Sequence, residues 1–126
     1  MRETEIENGV IESTMLGIED HGIASSYITV KGDGWGCGFG GYTLDGPYDH
    51  DKKKRLPSAL MGWWVARVME TVGVEKWEDL KGKHVRVETE GLGGHIIALG
   101  HFMKKQWFRP GEEIKVFLAA NPEVSR

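Results

Sequence analysis

The sequence has one cysteine, Cys37, among its 126 residues. No disulfide closes within a single copy, so packing must hold the fold, as is usual for proteins of a reducing cytosol. Long hydrophobic runs are missing too. The stretches Ala59–Val65 and Ile96–Leu99 fall far short of the roughly 20 apolar residues that cross a bilayer, and Met1-Arg2-Glu3-Thr4-Glu5 opens no signal-peptide core. Neither membrane insertion nor secretion by that route is expected. There is no basic excess: 16 Lys and Arg against 19 Asp and Glu leave a net charge of −3. A general nucleic-acid binder needs a basic footprint and is excluded, although a local basic patch is not. No internal repeat is present, and no low-complexity tract outside one glycine-rich segment.

What is present suits one folded domain over residues 1–126, with hydrophobic residues at 40% and charged residues at 28%. Residues 1–8 are polar and acidic and are expected to fray. The strand formers of Val10–Leu16 predict a strand, Glu19–Gly22 a turn, and Ile23–Lys31 a second strand pairing with the first. From Ser58, apolar residues at three-and-four spacing (Leu60, Met61, Trp64, Val65, Val68, Met69, Val72) predict a helix, with Ser58 as N-cap and Gly73 as its stop. Trp63 lies beside that stripe and is expected to be partly buried. Val74–Gly82 reads as a short helical turn on Trp77 and Leu80, and His84–Glu90 and His95–Phe102 as a hairpin joined by Gly91–Gly94. One face of that hairpin is expected to carry His84, His95, His101 and Arg86. Glu112–Ala120 reads as a short helix or an edge strand. The order βββαββ plus a terminal element predicts an α+β fold: an antiparallel sheet of about five strands with one helix on a face.

The 18 glycines and five tryptophans carry the functional reading. From Gly32 to Gly40 glycine falls on every even position, with Trp35, Cys37 and Phe39 between. As a strand, one face is bare backbone and the other apolar. Either another element packs on that bare face, or it offers N–H groups to a planar or anionic ligand. It is no dinucleotide or Walker fingerprint, since neither a helix nor G-K-[ST] follows. Backbone donors beside aromatic rings suit bases and other planar ligands. The expected ligand-binding set is therefore Trp35, Gly36, Gly38, Phe39, Tyr42, His84 and Arg86, with Lys52, Lys53, Lys54 and Arg55 as phosphate contacts. No catalytic residue, metal ligand or cofactor is assigned. Cys37 with His21 and Asp20, Asp49-His50-Asp51, and the three hairpin histidines lack the spacing that makes such motifs specific.

Four ordered strings, STMLGIEDHGI (13–23), GWGCGFGGYTLD (34–45), VGVEKWEDLKGKHVRVE (72–88) and GGHIIALGHFMKKQWF (93–108), resemble a family of small uncharacterised proteins encoded by bacteriophages and prophages. The resemblance covers most of residues 9–108 and implies no catalytic residue. It implies an accessory protein of the host bacterial cytosol that antagonises defence. The expectation is a homo-oligomer that sequesters a small nucleotide-like ligand. The alternative is an inhibitor of a host defence protein, such as an anti-CRISPR, or a phage structural accessory. Its acidic N-terminal segment and aromatics such as Trp63 or Trp107 would then dock on the partner.

Overall fold

A computed structural model describes residues 4–19, 21–91 and 95–125. The elements are β1 (Glu5–Ile18), β2 (Ala24–Gly32), β3 (Trp35–Gly40), β4 (Tyr48–Asp49), β5 (Lys54–Arg55), α1 (Ala59–Val72), β6 (His84–Thr89), β7 (Ile96–His101), β8 (Trp107–Phe108) and α2 (Pro110–Ala120), with 3-10 turns at Trp77–Asp79 and Pro122–Ser125. The fold is α+β. Six strands form one antiparallel sheet in the order β3-β2-β1-β6-β7-β8, while β4 and β5 make a separate two-stranded ribbon. The sixth strand, β8, and that ribbon are additions to the expected order. The terminal segment is helical, starting at Pro110, whose missing N–H costs nothing at a first helical turn.

β1 organises the sheet. Its residues 5–10 pair with β6 and its residues 10–18 pair with β2, the register shifting between Ile11 and Ser13. Residues 5–8, expected to fray, are thus held in a ladder. The Ile11 N–H donates to the Lys83 carbonyl at 2.9 Å and the Ile11 carbonyl accepts from Gly82 at 2.8 Å. A bulge at such a point bends the strand and increases its twist. The sheet curls until Cα atoms of β3 and β7, with three strands between them in the order, come within 8 Å. β3 and β7 both run in the direction of β1. The result is a partly open five-stranded barrel, with the helix inserted between its third and fourth strands, a topology resembling the OB-fold.

The inner face carries Ile11, Ile28, Val30, Phe39, Val85, Val87, Leu99 and Phe108, all buried. α1 closes this core with Leu60, Trp64, Val68 and Val72, one residue per turn. Its ends are the expected ones: Ser58 Oγ accepts from the Leu60 N–H, and Gly73, at φ 90°, donates its N–H to the Met69 carbonyl. Trp64 is the centre of the packing. Its ring stacks on Phe39 at 5.4 Å between centroids, meets Phe108 edge-on at 5.1 Å and Tyr42 at 5.6 Å. It joins β3 to β8, the two ends of the sheet. Among the described residues its Nε1 and the Ser26 Oγ are buried with no protein group as hydrogen-bond partner. α2 is tied to α1 by Trp63 stacked on Phe117 at 4.9 Å and by Arg67 paired with Glu113 at 2.8 Å.

Trp64→Ala removes the contact shared by both ends of the sheet and is expected to lower stability by about 3–5 kcal/mol. Urea unfolding measures it, and a loss under about 1 kcal/mol would contradict this account of the core.

Candidate binding site on the outer barrel face

The register of β2 with β3 settles where the glycines face. Val30 pairs with Cys37 and Ile28 with Phe39, on the inner side, while Lys31 pairs with Gly36, Thr29 with Gly38 and Tyr27 with Gly40, on the outer side. Gly36 and Gly38 are not under α1, whereas a Cβ at Gly40 would stand 3.4 Å from the Trp64 ring of that helix. Gly36 is open: a Cβ there would meet nothing nearer than the Val30 carbonyl at 3.9 Å. Gly38 is different, because the Tyr27 phenol lies across it where a Cβ would stand. Gly40 and Gly41, at φ 113° and 84°, turn the chain out of the strand.

The predicted binding residues do not converge. Phe39 is buried in the aromatic core, and Trp35 turns to the inner side, its indole folded over Gly32 and reaching Gly9. Tyr42 packs beside Trp64, and burial pushes its hydroxyl above the usual tyrosine range. Arg86 is on the outer face, but its guanidinium is engaged: Nε donates to the His101 carbonyl at 2.8 Å, Nη2 to the Lys104 carbonyl at 2.7 Å, and the plane lies over Trp107 at 5.0 Å. It holds the β7–β8 turn. Lys52 and Lys53 are exposed at the turn between β4 and β5, Lys54 is exposed on β5, and Arg55 is bound to Asp45 at 2.7 Å. This basic run forms no cradle with the glycine strand's aromatics.

The histidines separate as well. Val85 pairs with His101, which places His101 on the inner side, away from His84. Its Nδ1 accepts the N–H groups of Met103 and Lys104, each at 2.9 Å, and so caps the turn. His95 lies exposed just before β7. Cys37 packs against the core, while His21 is exposed in the β1–β2 turn, bonded to Glu19; Asp20 lies outside the described residues. Asp49 Oδ1 accepts from the N–H groups of Asp51 and Lys52, which makes it a turn residue. Among the described residues no group of three or more acidic, histidine or cysteine side chains is placed to hold a metal ion, and no helix is long and apolar enough to cross a membrane.

The outer face does hold a groove, of about 520 Å³, where β2 ends beside β1 and β6. Val10 and the backbone of Gly9 and Gly32 contribute its apolar lining, and His84 and Phe102, with ring centroids 5.4 Å apart, contribute an aromatic one. Asn8, Glu12, Lys31 and Asp33 supply polar groups. Of the predicted residues only His84 belongs to it. Val10, Lys31 and Phe102 come together through the pairing of Val10 with both Lys31 and His84, and no spacing in the sequence announces that pairing.

Beyond Arg86 the same face is closed by a charged cluster. Trp107 covers Gly100, with Arg109 over its ring at 5.5 Å, and Arg109 pairs with Glu88 at 2.9 Å. Burial raises the Glu88 carboxyl, but hydrogen bonds from Arg109 and Thr4 and the Arg109 charge outweigh it, leaving its pKa below the usual range. A depressed carboxyl stabilises the fold above its unfolded pKa, and that contribution is lost as the pH falls through the folded value. Glu88→Gln is therefore expected to cost roughly 1 kcal/mol at pH 7, moderated by the exposure of Arg109, with the difference from the parent chain vanishing in acid. Urea unfolding from pH 7 to pH 3 measures it; a gap that persists unchanged would rule out the ion pair as its source. Comparison of the chain with protein-family models, with curated proteins and with solved structures finds no match in any of the three.

Proposed function

We propose that this is a non-catalytic binding protein that captures a small planar molecule in the groove between β1, β2 and β6, in the accessory role that the resemblance to phage-encoded proteins implies. The observation that carries the proposal is the groove itself. Its volume of about 520 Å³ lies within the range of small-molecule sites, which are mostly apolar with a few polar groups fixing orientation. The His84 and Phe102 rings offer stacking surface, and Lys31 and Asn8 offer donors.

The charge of the lining selects within the nucleotide-like class. Glu12 and Asp33 outnumber Lys31, Arg86 is engaged by two carbonyls, and Lys52–Lys54 are not among the groove's residues. An uncharged ring system of nucleobase or nucleoside size is favoured over a phosphorylated one. Barrels of this topology often bind ligands on their outer face, an analogy of architecture that supports the location and leaves the ligand to the side chains. Tracking of an oligonucleotide backbone is disfavoured by the same acidic groups.

Native mass spectrometry with a panel of nucleobases, nucleosides and mono-, di- and cyclic nucleotides tests this. One uncharged ligand retained per chain, with its phosphorylated forms bound no better, is the expected result. Val10→Lys, which fills the groove, and His84→Ala are expected to weaken binding by roughly tenfold or more with the fold intact by circular dichroism. A chain that retains nothing from the panel would refute the reading and turn attention to a host protein as target.

A further inference from the structure

We propose that the second half of β1, residues Ser13–Ile18, is a pairing edge through which two copies of this chain join into a closed dimer. The backbone directions carry this. Beyond the bulge, the Glu19 N–H donates to the Ile23 carbonyl across the hairpin, and because strand residues alternate, Ser13, Met15 and Gly17 also point toward β2. β2 gives the same answer from its side: the carbonyls of Ala24 and Ser26, in register with Ile18 and Leu16, accept from Leu44 and Gly41 instead. Thr14, Leu16 and Ile18 therefore direct their N–H and C=O groups away from β2. On that side β6 is already gone, since its pairing begins opposite Val10 and the residues before it bond to β1 at Ile11.

Apart from the bulge where it begins, this edge lacks the usual protection. Lysine, proline or a covering segment normally blunts an exposed strand edge, yet Ser13–Ile18 contains neither a charge nor a proline. Met15 is 40%, Leu16 38% and Ile18 69% exposed. Acids stand only at its limits, Glu12 and Glu19.

The segment is complementary to itself. An antiparallel pairing about a two-fold axis at Leu16 sets Thr14 against Ile18 of the second copy and Leu16 against its own counterpart, so all the outward groups meet, forming about six hydrogen bonds at two per facing pair. Leu16, Thr14 and Ile18 then pack on one face. On the other, Met15 falls opposite Gly17 of the second copy, and Gly17 has nothing within 4 Å of the place where a Cβ would be. Because both copies use the same edge, the pairing closes at two and leaves no growing end. So short an edge buries less than the roughly 1,200 Å² of a standard stable interface, so the dimer separates on dilution.

Sedimentation velocity from about 5 to about 500 μM, spanning micromolar affinity, is expected to show a reversible monomer–dimer equilibrium. Leu16→Lys, which sets like charges face to face, and Thr14→Pro, which removes an outward N–H and no ladder bond, are each expected to weaken the dimer roughly tenfold or more. Val116→Lys on α2, at a residue 70% exposed, should leave it unchanged. Circular dichroism and urea midpoints establish that each variant folds. A parent chain that remains monomeric throughout overturns the proposal, even if it takes up a foreign strand, and so does a folded Leu16→Lys variant that dimerises like the parent.

Discussion

The transfer of β1 from one partner to the other at Val10 and Ile11 is the constraint on which the remaining architecture depends. One strand cannot pair fully with β2 and β6 while they diverge, so its register breaks and each half serves one side. That break lets the sheet curl, brings β3 to β7 and creates the interior that Trp64 fills. It also fixes what remains outside. The groove lies where β2 ends beside the first half of β1, and the unpaired edge lies where β6 has not begun beside the second half. Both features follow from one offset.

Hydrophobic periodicity made the helix legible almost to the residue, because capping and a 3.6-residue stripe are local properties of Ser58–Gly73. β1, β2, β6 and β7 were legible from their strand-forming residues, and β1–β2 and β6–β7 as hairpins, whereas the β4–β5 ribbon was not. The extension of β1 back to Glu5 was not, since Glu5, Glu7 and Asn8 are poor strand formers that tertiary pairing with β6 overrides. Nor was β8, two residues whose state is set by pairing with Leu99 and Gly100.

The candidate site was less legible, and the glycine strand explains why. Its alternation correctly implied one bare face and one apolar face. The same alternation sets Trp35 and Phe39 opposite Gly36 and Gly38, so rings and bare backbone of this strand cannot share a ligand, a consequence that the expected binding set did not respect. The aromatic partners of the outer face come from other strands, Tyr27 on β2 and His84 on β6, and only the cross-strand register identifies them. Arg86 was placed on the correct face, but that two carbonyls of the β7–β8 turn engage it is a fact about chain distant in sequence.

Tyr27 and Gly38 occupy one volume, as do Trp107 and Gly100, and Trp35 and Gly32. Each large ring lies where its neighbour's side chain would stand, so the two positions are a single choice in evolution. Loss of the ring would free the glycine position to accept a side chain, and a side chain acquired first would have to displace the ring. Substitutions at the two members of each pair should be correlated among descendants of this sequence, with glycine kept wherever the aromatic is kept.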